Sequence, residues 1–294
     1  PQRNSFDRDQ YFNAGAARIP AVHYGVHAYC KEFGIPLEAH VNVSGGTRFV
    51  SSQVRNGIPI ERRRIENDVR GGLSELLAKA VNKGSLDNEL TAQDKERLLD
   101  YLSTYDALND KGKYVGTDRA GYASEPSVLD VEYEAQPPIP LKELLADPRS
   151  AGNLSFGETL FQQSTMMQPV GGMDAIPYAF AARLRREVQY DVRVTNIGRT
   201  DDGVRIRYAK ADGSAGVAEA DFCICTIPFS VLKGINADFS EQVKAGIKAF
   251  NYSSAGKVAW EAPRFWETEN HIYGGISYVD SDSNLTWYPS DNFN

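Results

Sequence analysis

The chain has 294 residues, enough for about two domains at about 150 residues each. Its composition, 41% hydrophobic and 24% charged, is typical of a folded soluble chain and excludes a disordered tail, a collagen or a coiled coil. Because 32 Lys and Arg face 39 Asp and Glu, the net charge of -7 excludes the basic footprint of a nucleic-acid binder.

Membrane and compartment signals are weak. No apolar stretch approaches the roughly 20 residues that cross a bilayer, so we expect no transmembrane segment and no membrane partner. Cys30, Cys223 and Cys225 form neither an even disulfide framework nor a CxxC pair, which leaves cytoplasm and secretion both open. Since the chain begins at Pro1 and stops at Asn294 within a patterned segment, we expect a piece of a longer or processed polypeptide.

Helical patterns dominate the first half. Apolar residues recur at helical spacing over residues 22–33 and stop at Gly34. A second helix is predicted before Gly84, with an apolar face of Ile65, Val69, Leu73, Leu76, Leu77 and Ala80. A third begins at Thr91, where Asp94 completes a capping pattern, and its apolar stripe is Leu98, Leu99, Leu102 and Tyr105.

Strand signals take over in the second half. A helix over residues 176–188 is followed by strands over 192–197 and 204–208, joined by the Asp-Gly hairpin signal at 200–203. The nearly continuous apolar run at 220–228 predicts a strand covered on both faces, with its two cysteines as core residues. Short strand-like runs between Gly and Asn turns extend to the end of the chain.

One histidine pair has the spacing of metal ligands. His23 and His27 lie four residues apart on one helix. Neither an HExxH acid nor a third ligand accompanies them, so we predict no metal site.

Four sequence blocks in a fixed order carry a resemblance. They are residues 13–20 (NAGAARIP), residues 168–174 (QPVGGMD), residues 188–197 with 220–228, and residues 254–258 (SAGKV) followed by 264–267, 274–277 and 287–289. Together they resemble the flavin amine oxidase superfamily, most closely the bacterial and fungal L-amino-acid oxidases that act on L-glutamate, L-lysine or L-arginine. Each block is short, but the ordered set is specific and covers nearly the whole chain.

The resemblance implies an α/β (α+β) fold with an FAD-binding domain, a substrate-binding sheet and a helical insertion, present as a partial chain. Residues 1–20 would lead into the FAD and substrate site, 21–154 would form the helical insertion, 155–236 part of the FAD-binding domain and 237–294 part of the substrate-binding domain. The family's GxGxxG unit and its C-terminal FAD segment are missing from this sequence. We therefore expect another chain or further sequence to supply them, and we expect a homo-oligomer.

By the same resemblance, the function is FAD-dependent oxidative deamination of L-amino acids. The products are 2-oxo acids, ammonia and hydrogen peroxide, with hydride transfer from Cα to flavin N5 and oxygen as the acceptor. Two alternatives stay open: a monoamine or polyamine oxidase of the same superfamily, and a non-catalytic subunit or scaffold that keeps the fold. The preferred amino acid is not determined.

Residues on the substrate side follow from the first and last blocks. The planar guanidinium of Arg18 matches a carboxylate through two parallel hydrogen bonds, and the resemblance makes it the carboxylate anchor. Gly15, Ala16 and Ala17 are small enough for the backbone to approach the flavin ring. Trp287 falls where the family has an aromatic wall beside the substrate. An Arg paired with a structural acid, a plain tight turn and a core aromatic are the respective alternatives.

The remaining site residues lie further along the chain. In the family, a lysine at the position of Lys257 holds a water beside flavin N5 and assists the reaction with oxygen. The backbone of Val194 would meet the adenine of FAD, and Thr226 and Pro228 would line the nucleotide. A surface lysine on an edge strand, a core valine and an ordinary strand end explain the same residues structurally.

Overall fold

The computed structural model describes residues 5–7, 10–124, 127, 134–184 and 188–291. The chain divides into two compact units. The first unit comprises Pro1–Ile176 and Trp260–Asn294, and the second comprises Pro177–Ala259. The four-part division expected from the sequence stays a prediction.

Helices and strands alternate along the chain in the mixed pattern expected of the fold class. The helices are α1 (Tyr24–Phe33), α2 (Arg62–Asn82), α3 (Ala92–Asp106), α4 (Leu141–Leu144), α5 (Arg149–Ser155), α6 (Ala175–Arg183), α7 (Phe229–Leu232), α8 (Glu241–Ala249) and α9 (Phe265–Thr268). The strands are β1 (Ile19–Pro20), β2 (Leu37–His40), β3 (Arg48–Val50), β4 (Ile60–Glu61), β5 (Met166–Pro169), β6 (Val192–Thr200), β7 (Gly203–Lys210), β8 (Ala215–Ala220), β9 (Asn236–Ala237), β10 (Ile276–Val279) and β11 (Leu285–Trp287).

Two small sheets organise the first unit. One has the order β1-β5-β2 and is antiparallel throughout. The other has the order β11-β10-β3-β4, with β10 and β3 parallel and the outer pairs antiparallel. Its main core cluster consists of Phe49, Val54, Ile60, Ile65, Ile139, Leu144, Ile276 and Tyr278. Segments from both ends of the chain therefore share one core.

The helix predicted over residues 22–33 is confirmed as α1. Gly34 ends it in the left-handed conformation, with φ of 69°, and its N–H bonds back to the carbonyls of Cys30 and Lys31. A residue with a side chain is strained at that φ, which explains the glycine at the stop.

The third predicted helix, α3, begins as its sequence indicates. Thr91 and Asp94 form the reciprocal capping box. Leu102 is buried, and Leu98 and Leu99 pack against the cluster it forms with Ala78, Leu108 and Tyr114. Tyr105 is 45% exposed, so the predicted stripe is confirmed except at its last residue.

The apolar face predicted for α2 is wrong after its first turns. Leu73, Leu76 and Leu77 are exposed, whereas the buried positions are Arg62, Ile65, Asp68, Gly71, Ser74, Ala78 and Val81. The buried face carries polar groups that bond across the unit. Asp68 accepts hydrogen bonds from the Tyr114 hydroxyl and the Ile139 N–H, both at 2.9 Å. The apolar periodicity predicted a buried face of leucines, because a local pattern contains no information about hydrogen-bond partners elsewhere in the chain.

The second unit is built on a four-stranded sheet with the order β8-β7-β6-β9. The predicted hairpin is confirmed, since Thr200 pairs with Gly203 at the turn between β6 and β7. Its core consists of Ile197, Leu232, Ala237 and Ile247. Helix α6 ends at Arg183, before the predicted end at residue 188, and residues 185–187 lie outside the described residues.

The buried strand predicted over residues 220–228 is not formed. Strand β8 ends at Ala220, and Phe222 and Ile224 are 88% and 91% exposed. Cys223 is exposed as well, so its assignment to the core is wrong; Cys225 is half-buried and packs against the core of the unit. A strand of this kind needs neighbours on both edges, and no ladder of the described residues pairs with it.

The strand predicted around Lys257 is not formed either. Residues 250–264 contain no helix or strand, and Lys257 is exposed. Val258 and Trp260 are 83% and 71% exposed, so the apolar alternation that suggested a strand does not correspond to a buried face. The later strand signals are confirmed as β10 and β11.

Candidate active site

Arg18 and Trp287, both predicted to bind substrate, come together in the first unit. The guanidinium carbon of Arg18 lies 4.6 Å from the centroid of the Trp287 ring and 5.7 Å from that of Phe156. Arg18 precedes β1, which is fixed by pairing of Ile19 with Met167. Trp287 ends β11 and pairs with Ile276. The two sheets thus bring the cation over the aromatic face.

The Arg18 charge is held in a partly desolvated place. Its side chain is half-buried, and burial lowers the pKa of the guanidinium, which nevertheless stays fully protonated at neutral pH. Among the described residues, no carboxylate lies within ion-pair distance of Arg18, and its guanidinium makes no hydrogen bond to them. Stacking positions the group while its five N–H donors stay available for an anion.

A polar network centred on Gln168 lies in the three-stranded sheet β1-β5-β2, the sheet that Arg18 leads into. Gln168 is buried on β5, and its amide nitrogen donates to the Glu38 carboxylate at 2.9 Å and to the Tyr11 hydroxyl at 3.3 Å. Its amide oxygen accepts a hydrogen bond of 2.7 Å from Nδ1 of His40. Glu38 and His40 face it from β2, where the register pairs Glu38 with Gln168.

Burial shifts the titration of two members of this network. The pKa of the His40 imidazole is lowered by burial and by the Arg18 charge, against the opposing effect of the Gln168 hydrogen bond. Burial, with the charges of Asp291 and Glu38, raises the pKa of Tyr11 to about 12. At neutral pH, His40 is therefore an uncharged imidazole and Tyr11 an uncharged phenol.

The VGGMD turn packs against the segment that leads to Arg18. Gly171 and Gly172 have φ of 82° and 117°, conformations that suit glycine. The N–H of Met173 donates to the Asn13 side chain at 2.9 Å. This turn therefore fixes the segment before Arg18.

The other predicted site residues lie in the second unit. Val194 is half-buried on β6, opposite Tyr208, and packs against the core of the unit. Thr226 is exposed in the irregular segment after β8, and Pro228 immediately precedes α7. Lys257 is exposed in the stretch without helix or strand.

Within the described ranges, no three His, Cys, Asp or Glu side chains are grouped to bind a metal ion. Among the same residues, no helix is both long and apolar enough to span a membrane.

Comparison with known proteins identifies the family. Residues 2–294 match the family of flavin containing amine oxidoreductases. The chain belongs to this family. Membership also confirms the expected fold class, and FAD is the cofactor that it implies.

Curated relatives of this flavin-containing amine oxidoreductase are named as L-amino-acid oxidases. "Putative L-amino-acid oxidase YobN" of Bacillus subtilis (strain 168) is 26% identical over 99% of this chain and 61% of its own length. L-amino acid oxidase bordonein-L of Crotalus durissus terrificus is 22% identical over 97% of this chain and 55% of its own. An L-amino-acid oxidase of Echis ocellatus is 24% identical over 96% and 56%.

The chain spans between half and two thirds of the length of these curated relatives. Among solved structures, a CLA-producing fatty acid isomerase from P. acnes matches 81% of this chain and 53% of its own, with a TM-score of 0.37 and 14% identity. A likeness at that level indicates neither substrate nor reaction.

Residues of this amine oxidoreductase chain fit FAD in each unit. In the first, Gly15 and Ala16 are exposed, and a Cβ added at Gly15 would meet no atom within 4 Å. Open space beside a backbone without bulky side chains suits a flat ring. In the second, the side chain of Val194 packs against the core of the unit, and Thr226 is exposed.

Sequence reasoning missed the polar residues of the site. Gln168 opens the QPVGGMD block, but nothing in that block marks its side chain as the centre of a polar network. His40, at the end of a four-residue strand, carries no local signal, because its importance depends on partners 128 and more residues away in sequence. Phe156 gave no signal either, since its contact with Arg18 is tertiary.

Proposed function

We propose that this flavin-containing amine oxidoreductase is part of an L-amino-acid oxidase. It would convert an L-amino acid to the 2-oxo acid, ammonia and hydrogen peroxide, with oxygen as the second substrate. The names of its relatives support this at 22–26% identity. A homo-oligomer, and further segments that complete the FAD site, belong to the same proposal.

The observation that carries the proposal is the half-buried Arg18 stacked on Trp287. Placing a guanidinium out of water is costly unless an anion meets it, and the described residues offer no carboxylate at ion-pair distance. The fork of N–H groups suits the α-carboxylate of an amino acid. Monoamines and polyamines lack that group, so Arg18 favours amino acids over them.

The chain's own residues would bind and orient the substrate. Arg18 holds the carboxylate, and the rings of Trp287 and Phe156 exclude water around that ion pair. The residues proposed for FAD are Gly15, Ala16, Ala17 and Arg18 in the first unit and Val194, Thr226 and Pro228 in the second. The chemistry that bound FAD supplies is two-electron oxidation of the substrate and reduction of oxygen.

Lys257 is proposed to assist the reaction with oxygen. Support comes from the match of residues 254–258 to the family's block and from the cationic side chain, which can stabilise developing negative charge on reduced oxygen. Replacing Lys257 with Met in the holoprotein should slow reoxidation by oxygen while anaerobic reduction by the amino acid keeps its rate.

The deciding experiment measures KM for L-amino acids in the flavin-loaded holoprotein. Replacing Arg18 with Ala should raise KM by about 100-fold or more, because it removes a charged, partly buried partner of the carboxylate. Arg18→Lys keeps the charge but loses the two-point contact, so its KM should lie between those of the wild type and the Ala variant.

Arg97→Ala is the matched control, since Arg97 is an exposed arginine on α3. It should leave KM unchanged. An unchanged KM in Arg18→Ala would contradict the carboxylate anchor, and turnover of simple amines instead of amino acids would favour the amine oxidase alternative. A purified protein that shows no visible flavin absorbance would indicate a scaffold.

A further inference from the structure

The hydrogen bond between His40 and Gln168 fixes the tautomer of the imidazole. The bond joins Nδ1 to the amide oxygen of Gln168, which can only accept, so Nδ1 carries the proton. The amide orientation is itself set by Glu38, because the Gln168 nitrogen donates to that carboxylate at 2.9 Å. Nε2 of the uncharged ring is therefore a lone-pair acceptor.

That acceptor has no partner in the described part of the chain. Nε2 of His40 is buried and makes no hydrogen bond to any described residue. An unsatisfied buried acceptor costs about 1–3 kcal/mol and calls for an explanation. A donor that arrives with the ligand would remove this cost.

The position of His40 indicates which donor. Its ring centroid lies 6.4 Å from that of Trp287, and the same indole stacks on Arg18. The carboxylate anchor and the imidazole with the unpaired acceptor thus both lie near one aromatic ring. An α-amino acid carries its carboxylate and its ammonium on a single carbon, so a ligand bound to Arg18 brings an N–H donor close to this anchor.

We propose that Nε2 of His40 receives a proton from the α-ammonium group of an L-amino acid whose carboxylate is bound to Arg18. This assignment rests on the proposed function and deepens it. Because Nε2 is buried, the amino group has to take the place of a neighbour of the imidazole.

The proton transfer meets a chemical need of the reaction. An ammonium nitrogen has no lone pair, and the C=N bond of the oxidised product requires one. In the step, an N–H bond of the ammonium breaks, an Nε2–H bond forms on His40, and the positive charge moves from the substrate to the imidazole. No oxidant or second reactant is needed.

The groups around His40 have opposing effects on its charge. Arg18 disfavours the imidazolium, whereas the hydrogen bond to Gln168 favours it. Tyr11, on the same amide, stays uncharged. The ring is consequently neutral before the ligand binds, and when it is protonated its Nδ1–H still donates to Gln168.

The test compares two ligands in the holoprotein: the L-amino acid that it oxidises fastest, and the carboxylic acid that lacks only the amino group. His40→Gln keeps an acceptor but cannot take up a proton. It should lower kcat/KM for the amino acid at pH 7 by about 10- to 100-fold. The inhibition constant of the carboxylic acid, which needs only Arg18, should change less than about 2-fold.

The pH profile separates a catalytic from a structural role. In the wild type, kcat/KM should reach its plateau once His40 is neutral. In His40→Gln, kcat/KM should reach its plateau only at a pH where the amino group of the free substrate has lost its proton. The pH at which the plateau begins should therefore rise by about one unit or more. The control His23→Gln, at an exposed histidine before α1, should change none of these values.

Each outcome decides between the proposals. Equal weakening of both ligands in His40→Gln, or an unchanged pH profile, would overturn the role of His40 and leave the proposed function intact. Arg18→Ala should weaken both ligands, and its failure to do so would overturn the carboxylate anchor instead. If the wild-type holoprotein oxidises no L-amino acid, the proposed function fails and this inference fails with it.

Discussion

The guanidinium of Arg18 lies 4.6 Å from the ring of Trp287, although the two residues come from opposite ends of the described chain. Each is fixed by a different sheet, Arg18 by the start of β1 and Trp287 by the end of β11. A cation over an indole face contributes about 0.5–2 kcal/mol, depending on how far it is desolvated. The contact therefore orients a carboxylate-binding group without using its hydrogen-bond donors.

Replacing Trp287 tests this positioning. In Trp287→Leu, the guanidinium loses its aromatic support, and KM for an L-amino acid should rise by about 3- to 30-fold, the equivalent of the stacking energy. Trp287→Phe keeps a smaller ring and should show a smaller rise. The control Tyr101→Leu replaces an exposed aromatic on α3. A KM for Trp287→Leu equal to that of the wild type would show that the stacking does not position Arg18.

Gln168 should be important for stability as well as for the site. Gln168→Leu leaves the Glu38 carboxylate, the Tyr11 hydroxyl and the His40 imidazole without their shared partner. We expect the free energy of unfolding to fall by about 2–4 kcal/mol, measured by urea denaturation.

The matched control for that variant is Gln163→Leu. Gln163 is exposed and donates one hydrogen bond, to the carbonyl of Glu158 at 2.7 Å. Its loss should cost less than about 1 kcal/mol. Equal effects of the two substitutions would mean that the buried network contributes nothing beyond a single surface bond.

Acid should weaken the first unit through Asp147. This buried carboxylate accepts hydrogen bonds from the side chain and backbone N–H of Arg149, which lower the pKa of Asp147 to about 2. The unfolded carboxyl titrates near 4, so the stabilisation is complete above about pH 4 and is lost as the pH falls toward 2. Because Arg149 is nearly half exposed, we expect a loss of only about 1 kcal/mol.

Urea midpoints measured from pH 5 to pH 2 check this expectation. Asp147→Asn should be less stable at pH 5 and should lose less stability on acidification than the wild type. The exposed Asp100 provides the control variant Asp100→Asn, which should follow the wild-type pH dependence. Parallel curves for wild type and Asp147→Asn would disprove the contribution of this carboxyl.

Two glycines in helices should respond in opposite directions to the same substitution. A methyl group at Gly71, on α2, would collide with the ring of Tyr114, whose hydroxyl bonds to Asp68. Gly71→Ala should therefore destabilise by about 1–3 kcal/mol.

At Gly246, on α8, the added methyl would meet no atom within 4 Å. Gly246→Ala should stabilise by about 0.5–1 kcal/mol, because alanine loses less backbone entropy in a helix. Thermal or urea denaturation measures both variants. A stabilising Gly71→Ala would mean that Tyr114 can move aside without cost.

Local signals in the sequence were sufficient wherever the structure depends on neighbours along the chain. The stop at Gly34, the capping box of Thr91 and Asp94 and the hairpin turn at 200–203 were all predicted from adjacent residues. Each of these motifs supplies hydrogen bonds to backbone groups only a few residues away in sequence.

Predictions failed where burial depends on distant partners. The leucines of α2 were expected inside, but the helix buries Asp68 and Ser74, because Tyr114 and Asp106 bond to them from other segments. The apolar run at 220–228 was expected to be a covered strand, yet hydrophobicity alone forms no ladder without a paired neighbour. The strand predicted around the exposed Lys257 is absent for the same reason, because an apolar pattern alone supplies no pairing strand.

The sequence by itself determined the family, the cofactor and the choice of Arg18 and Trp287 as candidates, because ordered blocks of residues retain a family's pattern without any knowledge of distances. Only the tertiary structure decided that these two side chains meet and that Gln168 and His40 lie beside them. Such contacts depend on the pairing of β1 and β2 with β5 and of β11 with β10, and strand register is a property of the folded chain rather than of any local segment.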